Sequence, residues 1–196
     1  MVDTVRTQTD LLTNLFQDGQ AANSITAQDM RDLIVSLSAN SGSGWAHYAD
    51  STYTSGSPLT IASGVRTKLT NDGADGASDS TYAEEDWWDT ATDKVVSTKD
   101  GAMFDLRVNF KAAYASGTNV AVAGDLDIGG AVGIVINDTK LFNKGSGTAQ
   151  SFVFSIPYFT GSTFVANGGD FYLTPTSAIT VWDISISIFR TFKPQV

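Results

Sequence analysis

This sequence predicts a mainly β fold, an antiparallel two-sheet sandwich or jelly roll preceded by a short helical N-terminal segment. Three observations carry the prediction. Strict apolar–polar alternation recurs in three separate segments beyond residue 100. Clusters such as NDGADGASDS, NKGSG and NGGD punctuate the chain between apolar runs. The composition, with 20 Ser, 23 Thr and 18 Gly against 4 Pro, suits polar strand faces joined by tight turns.

Residues 1–44 read differently from the rest and are expected to form an attachment segment and linker, with the sandwich over 45–196. TQTDLLTNLF places Leu11, Leu12, Leu15 and Phe16 at helical spacing. QDGQAANS (17–24) breaks that pattern. ITAQDMRDLIVSLSAN (25–40) predicts a helix, with Thr26 as N-cap and Asp29 completing a short-armed capping box. Met30, Leu33, Ile34 and Leu37 follow at i, i+3, i+4 and i+7 as one apolar stripe, opposite Gln28, Arg31, Asp32 and Ser36. Helices of this length are marginal alone in water, so the stripe must be buried on something. SANSGSG (38–44) reads as a flexible joint, which favours another chain over the chain's own sandwich as the burying surface.

From Trp45 the apolar period changes to two. In MFDLRVNFKA (103–112), Phe104, Leu106, Val108 and Phe110 alternate with Asp105, Arg107, Asn109 and Lys111. SFVFSIPYF (151–159) alternates Phe152, Phe154 and Ile156, and Pro157 is expected to mark a bulge or strand end. TVWDISISIFRTF (180–192) predicts Trp182, Ile184, Ile186 and Ile188 on the apolar face. Shorter strands are expected in 45–50, 57–62, 65–70, 94–97, 124–130, 132–138 and 169–175. No internal repeat at a fixed period is visible.

Composition excludes several functions. Twelve basic and 21 acidic residues give a net charge of −9, which repels phosphate backbones and speaks against nucleic-acid binding. Without cysteine there is no disulfide framework, thiol catalysis or Cys-based zinc site. One histidine, His47, gives a Ser-His-Asp triad or a multi-His metal site almost nothing to be built from. No apolar run approaches 18 residues, so no spanning helix is expected, and the polar N-terminus has no apolar signal stretch. A binding or structural protein is expected, not an enzyme, with no cofactor and no metal.

Two segments invite a ligand reading. Residues 71–93 hold eight carboxylates (Asp72, Asp75, Asp79, Glu84, Glu85, Asp86, Asp89, Asp93) and no base. Either they form a calcium loop or a solvated acidic loop; the spacing does not fit an EF-hand. Glu84 and Asp86 make a weak carboxylate pair for glycoside hydrolysis. Trp87 and Trp88 follow directly, and adjacent residues on a strand point to opposite faces. One indole is expected in the core, and the other can stack on a sugar or a partner chain beside Asp86. GDLDIGGAVG (124–133) lacks the Lys-Ser/Thr ending of a phosphate loop, and Asp125 and Asp127 are expected to face solvent.

Several segments resemble bacteriophage virion fibre and decoration proteins. LFQDGQAANSITAQDMRDLIVSL (15–37) carries an I-T-x-x-D-x-R-D-L helix in Ile25, Thr26, Asp29, Arg31, Asp32 and Leu33. WAHYADSTYTSGSPLTIASGVRTKLTNDG (45–73), WWDTATDKVV (87–96) and FDLRVNFKA (104–112) are similar to segments of the same proteins. The resemblance implies an N-terminal attachment segment, a tumour-necrosis-factor-like jelly roll and a homotrimer. It implies a short fibre, spike or decoration knob on capsid or tail, held through Leu11, Leu15, Phe16, Met30, Leu33, Ile34 and Leu37 by other virion proteins and assembled in the bacterial host cytoplasm. The alternative is a host-receptor module of a tail fibre that binds surface glycan, with Trp87, Trp88 and Asp86 as ligand-binding residues. The family carries no catalytic motif to transfer.

Overall fold

The computed structural model describes residues 6, 10–11, 25–39, 44–78, 86–130 and 132–193. Helix α1 spans Ala27–Ala39. The strands follow as β1 (Gly44–Ala49), β2 (Leu59–Ile61), β3 (Thr67–Lys68), β4 (Asp75–Ser78), β5 (Trp88–Asp89), β6 (Lys94–Val95), β7 (Met103–Tyr114), β8 (Ala121–Asp127), β9 (Ile134–Leu141), β10 (Gln150–Phe159), β11 (Asp170–Pro175) and β12 (Ile179–Phe192), with a short helix α2 (Ser162–Asn167) between β10 and β11.

The larger sheet has the order β10-β7-β12-β1-β4, with β2 also pairing β12; the smaller has the order β3-β11-β8-β9. Among the described residues all strand pairings are antiparallel. The pairs nest along the chain: β7 with β12 in one sheet, β8 with β11 in the other, β9 and β10 at the fold of the ribbon. That nesting is the connectivity of a jelly roll. The antiparallel sandwich expected from alternation is therefore present.

Alternation works where predicted in β7 and β10. Phe104, Leu106, Val108 and Phe110, and Phe152, Phe154 and Ile156, are all buried. Phe154 meets Phe171 of the facing sheet at 5.8 Å between ring centres, and Phe110 stacks on Phe152 at 5.4 Å. Gly124 of β8 lies under this contact: a Cβ there would sit 2.8 Å from Phe154 and Phe171 ring atoms. The absence of a side chain is what lets the two rings meet.

Three expectations are corrected. Pro157 neither ends nor bulges β10; it pairs with Asp105 inside the strand. β10 is an edge strand, so a missing N–H costs no ladder bond on its free side. Trp182 is not in the core. The register with β7 jumps from Trp182↔Lys111 to Ser185↔Asn109, and Asp183 has φ +52°. The bulge shifts the phase by one residue, so Ile179 and Val181 point inward before it and Ile184, Ile186 and Ile188 after it. Asp125 does not face solvent; only 3% of its side chain is exposed. It stands on the outer face of β8, but Arg66 covers it with hydrogen bonds from Nε and Nη2 and reaches Asp127 at 2.9 Å. The guanidinium lies 3.7 Å over the Tyr172 ring. The Asp125 and Asp127 carboxylates raise the Arg66 pKa above its ordinary value.

Candidate functional site

Helix α1 begins as the capping residues dictate. Asp29 N donates to Thr26 Oγ1 at 3.1 Å, and Asp29 Oδ2 accepts from the Thr26 N–H at 2.8 Å. The Thr26 hydroxyl bond holds the Asp29 carboxyl below its ordinary pKa. Which face of α1 is covered is less expected. Asp32 and Ser36, on the polar face, are 1% and 0% exposed. Arg6 Nε meets Asp32 at 3.0 Å, the Arg6 N–H donates to Ser36 Oγ at 2.8 Å, and Gln28 Nε2 donates to Asp32 Oδ1 at 2.7 Å. A buried carboxylate needs such partners. Two residues of the apolar stripe face outward, Met30 at 46% and Ile34 at 60% exposure, and Leu33 is half-buried. Leu11 is buried. Leu15, Phe16 and the side chain of Leu37 lie outside the described residues, as do residues 40–43 of the expected linker; Gly44 already belongs to β1.

A second surface lies on the outer face of the larger sheet. Phe159, Met103 and Phe192 sit side by side across β10, β7 and β12. Trp45 and Phe189 are paired in the next row. Met103, Phe159, Phe192 and Trp45 are all exposed. Their neighbours are polar and already partnered. Asp105 accepts from Arg107 Nε at 2.9 Å and Ser155 Oγ at 2.8 Å, and His47 Nδ1 lies 2.9 Å from Ser187 Oγ. His47 is thus a strand-face residue with a partner. A third apolar surface, Val132, Ile134 and Val135, runs from the β8–β9 turn onto edge strand β9. It borders a cleft of about 430 Å³ against α2 and the end of β10. The wet-face aromatics Trp45 and Phe189 were visible in the sequence as alternation positions that should have been polar; that their rows adjoin was not.

Among the described residues, the carboxylates of the acidic stretch assemble no cation site. Asp72 accepts from Ser51 N and Oγ, Thr52 Oγ1 and Ala74 N at 2.7–3.0 Å. The Ser51 hydroxyl leads in lowering its pKa to about 2. Asp93 accepts from Asn71 N, and Asp89 from Ala91 N. These carboxylates tie loops together, and among the described residues no group of three acidic or histidine side chains could hold a metal. Glu84 and Glu85 lie outside the described residues. The sugar-binding expectation at Trp87, Trp88 and Asp86 is also corrected. Both indoles are buried, at 0% and 2% exposure. Trp87 packs edge-on to Phe104 at 5.3 Å and lies under Arg190, while Trp88 Nε1 donates to Asn71 O at 3.0 Å. This segment is covered on both sides, so neighbouring side chains both find protein, and exposed Asp86 has no free indole face beside it.

No protein-family model matches the chain, and no curated protein sequence does. Among solved structures, the chain is similar to the Eiger TNF of S. frugiperda (8% identity, 78% of this chain and 94% of that one, TM-score 0.46). It is also similar to the PRD1 vertex protein P5 (13% identity, 78% of this chain and 73% of that one, TM-score 0.42). At these scores the jelly-roll assignment rests on the strand order and register described above.

Proposed function

We propose that this chain is a virion structural protein of a bacteriophage: a compact homotrimeric knob, fibre or decoration element on capsid or tail, held to its virion partner through the helical segment at 1–44 and not catalytic. The observation that carries the reading is the orientation of α1. Asp32 and Ser36 of its polar face are covered within the chain, and Met30 and Ile34 of its apolar stripe are exposed and left for another protein. The sequence resemblance of residues 15–37, 45–73, 87–96 and 104–112 to phage fibre and decoration proteins supplies the class.

The sandwich has the features that a ring of copies needs. Its two apolar surfaces, Trp45–Met103–Phe159–Phe192 and Val132–Ile134–Val135, differ in side chains and strands, and Phe159 borders the cleft between them. Contact of one with the other in a neighbouring copy is heterologous, and a heterologous contact forms a ring when its rotation closes. The net charge of −9 keeps a protein at high local copy number from adhering to released genome. Assembly in the host cytoplasm needs no disulfide, and the chain has no cysteine.

The test replaces Met30 and Ile34 together by Glu in the full chain. Both side chains are solvent-exposed, so the variant is expected to fold and to retain a mass three times 20.8 kDa by sedimentation. It should not incorporate into particles. Normal occupancy of virions by this variant overturns the attachment reading; a stable monomer for the wild type at micromolar concentration overturns the trimer.

A further inference from the structure

The bulge in β12 places a tryptophan where stability alone would not. Trp182 is the largest apolar side chain of its strand, and one residue of phase would have put it in the core. Instead Asp183 adopts φ +52°, a conformation that non-glycine residues rarely occupy, and the indole turns to the outer face. Strained backbone that re-aims a side chain is a feature of binding sites.

The surroundings fit a ligand. Trp182 lines a cavity of about 450 Å³ with Pro58, Thr60, Ala113, Tyr114 and Thr180. Thr60, Thr180 and Ala113 lie in one register row across β2, β12 and β7. Their side chains are short, so they form a low shelf beside the half-buried indole. The Thr60 hydroxyl has no hydrogen-bond partner among the described residues. Beside the lining residues, Lys111 stands opposite Trp182 on β7, and its Nζ meets Asp183 Oδ2 at 2.9 Å, with both side chains half-exposed. An aromatic platform, hydroxyls and an exposed carboxylate–ammonium pair are what a pyranose requires. The C–H face of the sugar rests on the indole, and vicinal hydroxyls donate to the carboxylate and accept from the ammonium and the Thr60 hydroxyl, the Thr180 hydroxyl donating to Ala113 O at 3.5 Å. Because the charges cancel, the site suits a neutral sugar.

We propose that this cavity binds a neutral pyranose of a surface polysaccharide. Position supports the choice of occupant. Gly44, where the attachment segment joins, pairs with Arg190. Trp182 is eight residues back along the same strand, roughly 26 Å away at about 3.3 Å per residue. A knob tethered at one pole presents the other outward; that part of the inference rests on the attachment reading, while the binding itself does not.

The experiment uses the full chain. A glycan array is followed by titration with methyl glycosides of glucose, galactose and N-acetylglucosamine, monitored by saturation-transfer NMR. The wild type is expected to bind one of them in the millimolar range. Trp182→Ala should weaken binding at least tenfold and Lys111→Met several-fold, each at unchanged oligomeric mass. The Met30/Ile34→Glu variant should bind as the wild type does. Absence of any binding by the wild type, or full binding by Trp182→Ala, overturns the site. Loss of the trimer in Trp182→Ala overturns it too, since the indole would then be a subunit contact. Glycan binding together with normal virion incorporation of the helix variant leaves the site standing and removes only the attachment reading.

Discussion

Replacing Gly124 with Ala probes the closest contact between the two sheets. The new Cβ would stand 2.8 Å from Cδ1 and Cε1 of Phe154 and from Cζ of Phe171. Carbon atoms rest at about 3.5–4.0 Å, so a gap of roughly 0.7 Å or more must be opened at three ring atoms. Neither ring has anywhere to go. Both are fully buried, and Phe154 is also stacked on Phe110 at 6.0 Å. Overpacking costs about 1–3 kcal/mol, and simultaneous contact with two immobile rings puts this case near about 2–3 kcal/mol. For a chain of this size each kcal/mol lowers Tm by about 2–4 °C, so a fall of about 4–12 °C is expected. Urea denaturation at fixed protein concentration is the assay, because subunit association makes apparent stability concentration-dependent. Phe154→Leu in the same background should relieve the clash, making the double variant more stable than the sum of the singles by about 1 kcal/mol. A Gly124→Ala protein within about 0.5 kcal/mol of wild type, or strict additivity in the cycle, would refute the packing argument.

Two further outcomes are expected. Arg66→Met leaves the 3%-exposed Asp125 carboxylate without its cation and should lower stability by about 2 kcal/mol, discounted from the fully buried case because Arg66 is itself 35% exposed; adding Asp125→Asn should recover most of the loss in urea melts. Asp72 is held at about 2 against an ordinary value of 3.8, so its contribution is complete above about pH 4 and disappears as pH falls towards 2. The difference in Tm between wild type and Asp72→Asn should therefore be constant from pH 7 to about 4 and shrink below it, and a difference that grows on acidification contradicts the assignment.

Local pattern determined much of this protein. Alternation over 103–112 and 151–156 specified which side chains enter the core, because a strand's two faces follow from backbone geometry alone. Thr26 and Asp29 marked the start of α1, because a capping box is completed within one turn. Strand β4, by contrast, lies in a Gly- and Asp-rich stretch with no apolar signal, and its place comes from pairing with β1. What lay beyond sequence was decided at long range. A single bulge at Asp183 reversed the face assigned to Trp182, since period two carries no memory across an inserted residue. Asp125 became a buried ion because an arginine 59 positions away folds over it. Trp87 and Trp88 both became core because protein covers each side of their segment, so opposite directions did not mean opposite environments. The same limit applies to the candidate sites. The apolar stripe of α1 was legible as a period of 3.6, whereas the indole and threonines of the distal cavity and the ion pair beside it share one surface only because β2, β7 and β12 bring positions 60, 111 and 182 into adjoining rows. Periodicity reports which side of an element is apolar; only the assembled sheets decide which sides meet protein and which remain open to a partner.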